Sequence, residues 1–167
     1  FDKVMNTLAR GPENFLSTIM SQCVVTMQNE DALEKLVKLL LPTRAQGMTF
    51  SFYVPTRNDT SDLTWGSLER RDKAVRNVMK LKKEYPDFIW NNSRTLELTL
   101  SENAKVVTDS CPSKSLVLPL YLEGSDFVTP FCCYGNDVDC DLCGAWVVFY
   151  LAAKLDPKAT VEEPIST

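Results

Sequence analysis

The 167-residue sequence contains no histidine, and this absence excludes several kinds of chemistry. Nucleophilic sites that pair serine or cysteine with histidine are excluded, and so are zinc sites that mix cysteine and histidine ligands. The side chain that most often acts as a general base is also missing. We therefore expect any soft-metal or redox chemistry to depend on the six cysteines.

The sequence also lacks an excess of positive charge and a long apolar run. Its net charge of −4 argues against duplex nucleic acid as a partner, because binding to phosphates requires a broad basic face. The longest apolar stretch, residues 145–153, has nine residues, about half of what a membrane-spanning helix needs. No signal peptide is recognisable, so we expect a cytoplasmic chain without a transmembrane segment.

What is present is the composition of an ordinary globular domain, with 44% apolar and 24% charged residues. The hydrophobic pattern predicts, in order, a strand over 16–28, a helix over 33–41, a strand over 48–55, a helix over 63–85 and a strand over 87–92. Strands joined through helices are typical of a parallel sheet. The predicted fold class is therefore α/β, with parallel βαβ units followed by an irregular cysteine-rich region.

The longest predicted helix carries a run of three charged residues, Glu69, Arg70 and Arg71. Such a run is typical of a helix face in contact with solvent, although a buried ion pair or a contact with a substrate carboxylate is the alternative. The apolar run over 145–153 has no polar face, so we expect it to be buried and to shield a neighbouring metal centre.

Five of the six cysteines lie close together in the last third of the chain, at Cys111, Cys132, Cys133, Cys140 and Cys143. The last two form a CxxC motif, a spacing that lets two thiolates turn towards one metal ion. Cys133, or Cys132 in its place, can supply a third ligand, and Cys111 can supply a fourth. Coordination by thiolates alone selects Zn²⁺ or an iron–sulfur cluster over hard cations.

Two interpretations of the cysteines without a metal stay open. They can form disulfides, as in many secreted proteins, or remain buried thiols. Gly144 follows the CxxC motif, and we expect it to permit the tight turn that a metal-binding knuckle needs. Cys23 lies within the first predicted strand, where we expect a small buried apolar residue.

The order of these elements resembles the C-terminal half of a radical S-adenosylmethionine (SAM) enzyme. The matching text comprises the stretches SQCVVTMQNEDALEKLVKLL, GMTFSFYVPT and LERRDKAVRNVMKLKKEYPDFIWNNS. The run CPSKSLVLPLYLEGSDFVTPFCCYGNDVDCDLCG is similar to the cysteine-rich C-terminal region of the subgroup that includes hopanoid-modifying adenosyltransferase-like proteins. The resemblance covers about residues 1–153 and implies a partial (β/α) barrel followed by an auxiliary metal-binding region.

The resemblance implies that SAM binds at the carboxyl ends of the barrel strands. The first candidates for polar contacts with SAM are Gln28 and Asn29, and the next are Ser51 and Tyr53. Taken alone, Asn29 is more typical of a helix cap, and Tyr53 is more typical of a half-buried packing residue.

The resemblance also implies an auxiliary iron–sulfur cluster, of the [4Fe–4S] kind, held by Cys111, Cys133, Cys140 and Cys143. Cys133 is preferred to Cys132 because the text CYG is closer to the family's run. Four thiolates leave no open coordination position, which favours electron transfer or scaffolding over ligation of a substrate. Zinc held by the same thiolates, in a non-catalytic interaction module, is the alternative.

One departure from the family bears on activity. The CxxxCxxC motif that holds the SAM-cleaving cluster is absent, and the chain opens inside an amphipathic segment. We therefore expect a fragment of a radical SAM enzyme that is inactive alone, with residues 1–105 forming half a barrel, 106–155 the auxiliary region and 156–167 a flexible tail. In the full-length enzyme, the expected partners are a small-molecule or lipid substrate and a reductant protein.

Overall fold

The computed structural model describes residues 2–10, 19–118, 120–128 and 137–156. The elements of these residues are, in chain order, α1 Asp2–Arg10, β1 Met20–Val25, α2 Leu33–Leu40, β2 Gly47–Phe52, α3 Leu68–Glu84, α4 Ser93–Thr99, α5 Ser101–Asp109, α6 Ser113–Leu116, β3 Tyr121–Glu123, β4 Asp126–Val128, a 3₁₀ helix Cys140–Leu142 and α7 Trp146–Leu155. No helix in these ranges is long and apolar enough to cross a membrane.

Strands β1 and β2 pair in parallel over all six residues of each strand. A third segment joins β2 through a parallel bridge between Met48 and Ile89. Met48 N–H donates a hydrogen bond to the Phe88 C=O at 2.7 Å, and Trp90 N–H donates to the Met48 C=O at 2.8 Å. The described chain is therefore a mixed α/β structure in which parallel strands lie side by side in chain order. Helix α2 connects β1 to β2, and α3 lies in the chain between β2 and the segment at Ile89.

The third strand, predicted over 87–92, is reduced to the bridge at Ile89 because Asn91 pairs through its side chain. Asn91 Oδ1 accepts a hydrogen bond from the Phe50 N–H at 2.8 Å, and its Nδ2 donates to the Phe50 C=O at 2.9 Å. The side-chain amide thus replaces a backbone peptide in the ladder and leaves the backbone free to turn. Asn92 then begins α4 as its N-cap.

The main core lies between the sheet and its helices. It consists of residues that share burial on the facing surfaces of these elements: Val25, Leu33, Val37, Leu40, Ala45, Met48, Phe50, Phe52, Trp65, Ala74, Val75, Val78, Leu81, Phe88, Ile89, Leu96 and Leu100. Helix α3 begins later than predicted because Ser67 caps it, accepting a hydrogen bond from the Arg70 N–H at 3.2 Å. Its end at Glu84, just before Pro86, agrees with the prediction.

A second core lies outside the sheet and is built from helices, and the sequence pattern predicted neither α4 nor α5. Leu98 of α4 and Ala104 of α5 belong to one buried cluster with Val148 and Phe149 of α7. The apolar run over 145–153 is therefore buried in part, and several of its side chains stay partly accessible. Helix α5 of this layer also contacts the 3₁₀ helix Cys140–Leu142.

Two predicted domain boundaries fall within or beside helices of this layer. The boundary placed between residues 105 and 106 lies inside α5. Asp156 is the described residue of the predicted tail, and its carboxylate accepts hydrogen bonds from Arg94 at 2.6 and 2.9 Å. The rest of the tail lies outside the described residues.

Replacing Asn91 by alanine is expected to destabilise the fold by about 2–4 kcal/mol, because the N–H and C=O of Phe50 would lose their partners inside the sheet. Urea unfolding followed by circular dichroism measures this change in the free energy of unfolding. Asn6→Ala, at an exposed position of α1, is the control and should stay within about 0.5 kcal/mol of the wild type. Similar losses in the two variants would contradict the prediction.

Candidate functional site

The segment that contains the CxxC motif, residues 139–144, is docked at the carboxyl end of strand β2. Phe52 N–H donates a hydrogen bond to the Gly144 C=O at 2.8 Å, and Asp139 N–H donates to the Pro55 C=O at 2.9 Å. The segment thus touches β2 and the chain that follows it on both sides of the CxxC motif. In parallel α/β structures, ligands bind at the carboxyl ends of the strands.

The CxxC motif folds as one turn of 3₁₀ helix over Cys140–Leu142. Asp139 begins this turn, because its carboxylate accepts a hydrogen bond from the Asp141 N–H at 3.0 Å. Cys143 N–H donates to the Cys140 C=O at 3.2 Å and closes the turn. Cys140 is exposed, whereas Cys143 is 6% exposed, so the motif runs from the surface into the interior. We call residues 139–144 the cysteine turn.

Gly144 has a different role from the predicted one. Its φ angle does not lie in the left-handed region, so the turn itself does not require glycine. The close approach to β2 does, because a Cβ atom at Gly144 would lie 2.4 Å from the Phe52 Cβ and 2.7 Å from the Phe52 backbone oxygen. Glycine therefore determines how closely the cysteine turn can dock.

The described residues account for part of the predicted set of metal ligands. Cys133 and its alternative Cys132 lie outside them. Cys111 follows α5 and packs, half-buried, against the apolar cluster that contains Cys143. In the ranges that the structure describes, no three cysteine, aspartate or glutamate side chains are grouped so that they could hold a metal ion. The metal site stays a prediction, and its best-defined part is the pair Cys140 and Cys143.

Arg71 contacts the cysteine turn and is completely buried, so the predicted solvent-exposed position is wrong for this residue. Its Nη1 donates to the Cys143 C=O at 3.1 Å, and its Nη2 donates to the Thr99 C=O at 3.0 Å. Its Nε is buried and has no hydrogen-bond partner among the described residues. The other two members of the charged run, Glu69 and Arg70, are exposed as predicted.

The charge of Arg71 has an ion-pair partner at the edge of bonding distance. Asp72 Oδ1 lies 3.9 Å from Arg71 Nη2, but both Asp72 oxygens accept hydrogen bonds from Ser101, at 3.0 Å from its N–H and 2.6 Å from its hydroxyl. Burial lowers the pKa of the Arg71 guanidinium, while negative charge at Asp72 and at Cys143 acts in the opposite direction. Arginine keeps its charge even so, and a buried cation therefore adjoins the cysteine turn.

The predicted SAM residues at the end of β1 take up different positions. Asn29 Oδ1 accepts a hydrogen bond from the Thr26 N–H at 2.9 Å, and its Nδ2 donates to the Val24 C=O at 2.9 Å. Asn29 therefore closes the turn after β1. It does not cap α2, whose N-cap is Ala32 without a side-chain hydrogen bond. Gln28 is exposed.

The predicted SAM residues on and after β2 also make hydrogen bonds within the protein. The Ser51 hydroxyl accepts a hydrogen bond from the Trp146 N–H at 3.1 Å and donates to the Gly144 C=O at 3.4 Å. Tyr53 donates its hydroxyl to the Asp59 carboxylate at 2.8 Å. Ser51 thus links the end of β2 directly to the cysteine turn and to the start of α7.

Arg71 is the site residue that sequence reasoning missed, although a signal for it exists. It precedes Ala74, Val75 and Val78 by three, four and seven residues, and all three are buried on one face of α3. Residues at this spacing share a helix face. A charged residue on an apolar stripe indicates a buried polar or ionic contact. The spacing of Arg71 is therefore a better guide to its burial than the charges of Glu69 and Arg70 beside it in the sequence.

Comparison of the sequence with models of known protein families found no match, and comparisons with curated proteins and with solved structures found none either. The function is therefore argued from the residues of this chain.

Replacing Gly144 by alanine is expected to displace the cysteine turn from β2, because the added methyl group would overlap Phe52. Overpacking of this kind costs about 1–3 kcal/mol of stability. We also expect faster alkylation of Cys143, which is 6% exposed in the docked turn. Urea unfolding measures the first effect, and mass-spectrometric mapping after timed iodoacetamide treatment measures the second.

Gly66→Ala is the matched control, since a Cβ there would meet nothing closer than the Met27 sulfur at 3.9 Å. This variant should keep both the stability and the slow alkylation of Cys143. Wild-type behaviour of Gly144→Ala in both measurements would contradict the close packing of the turn on β2.

Tyr53→Phe tests the contact between Tyr53 and Asp59. Hydrogen bonds from Ser61 first, and from Tyr53 as well, hold the pKa of the Asp59 carboxyl below its ordinary value of 3.8. A lowered carboxyl pKa stabilises the fold above the unfolded pKa, and this contribution disappears as the pH falls through the folded pKa. We expect Tyr53→Phe to be less stable than the wild type at neutral pH, with a difference that shrinks below pH 3.8. Urea midpoints across this range measure it, and a pH-independent difference would contradict it.

Proposed function

We propose that this chain is part of a radical SAM enzyme, in which it supplies half of the barrel and a thiolate-held auxiliary iron–sulfur centre. The observation that carries the proposal is the docking of the cysteine turn, through Gly144, on the carboxyl end of β2. Reacting groups of barrel enzymes gather at this end of the strands. A metal centre held by the turn would therefore lie next to the substrate side of the barrel.

The order of the strands supports the barrel half of the proposal. β1, β2 and the segment at Ile89 lie side by side in chain order and are parallel. This order is found in (β/α) barrels, and it is also found within each half of a doubly wound sheet, which reverses its strand order only between the halves. The described parallel strands contain no reversal, which is compatible with the barrel proposal.

The chemistry around the cysteine turn supports the metal half. Cys140 and Cys143 lie in one turn, Cys111 packs on the cluster that contains Cys143, and Cys133 lies between them in the sequence. Sulfur donors of this kind select zinc or iron–sulfur centres, and an iron–sulfur cluster supplies one-electron transfer when bound. Arg71 adds a buried positive charge that a negatively charged metal–thiolate centre would offset.

We assign SAM to the same edge of the sheet. Gln28 and Asn29 stand at the end of β1, and Ser51 and Tyr53 stand at the end of β2, beside the cysteine turn. Because β1 and β2 are parallel, their carboxyl ends lie at the same edge of the sheet. One cofactor could therefore contact residues from both strands. The substrate in this assignment is a small molecule or a lipid.

A zinc-binding interaction module without catalytic activity is the second candidate. It is favoured by the hydrogen bonds of three of the residues assigned to SAM. Asn29, Ser51 and Tyr53 all bond to other groups of the chain. A structural zinc site would need four thiolates and no cofactor edge. The two candidates therefore share the cysteine turn and differ in the metal.

Iron and sulfide analysis of anaerobically prepared chain distinguishes the candidates. We expect brown protein with several irons per chain and matching sulfide, typical of a [4Fe–4S] cluster. Cys140→Ala and Cys143→Ala should each lose most of the iron, whereas Cys23→Ala should keep it, because Cys23 packs against the main core and Cys143 belongs to the second core. Colourless protein with one zinc per chain would identify the interaction module instead.

A further inference from the structure

The cysteine turn holds two thiols in unequal environments. Cys140 is exposed, whereas Cys143 is 6% exposed and belongs to the second core. A molecule that arrives from solvent therefore reaches the Cys140 sulfur first. This arrangement suits two-step thiol–disulfide exchange, in which an accessible thiol forms a mixed disulfide and a second thiol of the same chain then resolves it.

The backbone of the turn places the two cysteines at a separation that a disulfide can bridge. Residues Cys140–Leu142 form a 3₁₀ helix, and Cys143 N–H donates to the Cys140 C=O at 3.2 Å. Because a 3₁₀ helix has three residues per turn and rises about 2.0 Å per residue, the Cα atoms of the two cysteines lie about 6 Å apart and their side chains share one side of the helix. Cys143 has a φ angle of −56°, which continues this geometry. Disulfides join Cα atoms that are about 4.4–6.8 Å apart.

Both ends of the turn are fixed to the chain around the end of β2. Asp139 N–H donates to the Pro55 C=O at 2.9 Å, and the Gly144 C=O accepts a hydrogen bond from the Phe52 N–H at 2.8 Å. A turn anchored in this way keeps the second thiol beside the first. Such positioning favours an intramolecular step over attack by a thiol from solution.

We propose that Cys140 and Cys143 act as a dithiol that exchanges with a small disulfide, such as oxidised glutathione. The Cys140 sulfur loses its proton to solvent, attacks one sulfur of the disulfide and releases one thiolate. The Cys143 sulfur then loses its proton and attacks the Cys140 sulfur, which forms the internal disulfide and releases the second thiolate. Two cysteine thiols are oxidised to one disulfide, and the small disulfide is reduced to two thiols, which take up the two protons.

This inference goes beyond the proposed function and does not depend on it. A metal held by the turn would occupy the same two sulfurs as thiolates, so exchange is an activity of the metal-free chain.

Incubation of the full chain with oxidised glutathione tests the inference. The wild type is reduced, freed of metal with a chelator, exposed to oxidised glutathione without oxygen, and then denatured and treated with iodoacetamide. Peptide mass spectrometry locates the sulfurs that have reacted. We expect the peptide that contains Cys140 and Cys143 to lose two hydrogens and to lose alkylation at both positions, without retaining glutathione.

Two variants test the order of the steps. Cys143→Ser lacks the resolving thiol, and we expect it to retain one glutathione on Cys140. Cys140→Ser should lose the internal disulfide and should form no adduct on Cys143, because that residue is buried. Cys111→Ser is the matched control, since Cys111 also packs in the second core, and it should keep the disulfide between Cys140 and Cys143. Circular dichroism verifies that each variant folds.

The outcomes separate the inference from the proposed function. A wild-type chain in which both thiols of the turn stay alkylated, or in which either is joined to another cysteine instead, overturns the inference and leaves the proposed metal centre in place. An adduct on Cys143 in folded Cys140→Ser also overturns it, because attack would then not need the exposed thiol. An internal disulfide in a chain that binds no iron overturns the proposed function and supports the inference.

Discussion

The attachment of the cysteine turn to the sheet is the interaction on which the rest of the candidate site depends. It combines a backbone hydrogen bond from Phe52 to Gly144, a glycine that lets the two segments approach, and a buried arginine that donates a hydrogen bond to the preceding carbonyl group, that of Cys143. Each contact joins parts of the chain that are far apart in sequence. Loss of the bond from Phe52 or of the bond from Arg71 would leave a donor without that partner, which costs stability.

The candidate site consists of helix α3, which packs on the sheet, and of the cysteine turn, which carries the two thiols of the CxxC motif. Helix α3 packs its apolar face on the sheet and, through Arg71, also contacts the cysteine turn. The same turn presents Cys140 to solvent and keeps Cys143 in the interior. A metal centre built there would have one side in contact with the second core and the other at the strand ends, where the proposed SAM edge lies.

Local patterns predicted the parts of the fold whose stability depends on an apolar face. The stripe of α2, with Leu33, Val37 and Leu40 buried, follows helical spacing and was readable in the sequence. The shortened third strand and helices α4 and α5 were not predicted. Asn91 pairs with Phe50, 41 residues away, and α5 packs on a helix that lies much later in the chain. The spacing of residues along the sequence does not reveal which distant segments come into contact.

The sequence alone determined the α/β class, the parallel pairing and the order of the first strands and helices, because periodicity is a local property of a chain. Its composition also determined that a site built on histidine is impossible. The tertiary structure decided that Arg71 is buried, with its partner carbonyl 72 residues away. It also decided that Gly144 is needed for a close approach to β2. Both depend on which distant segments come into contact. A charge needs polar partners once it is buried, and a tightly packed contact leaves no room for a Cβ atom.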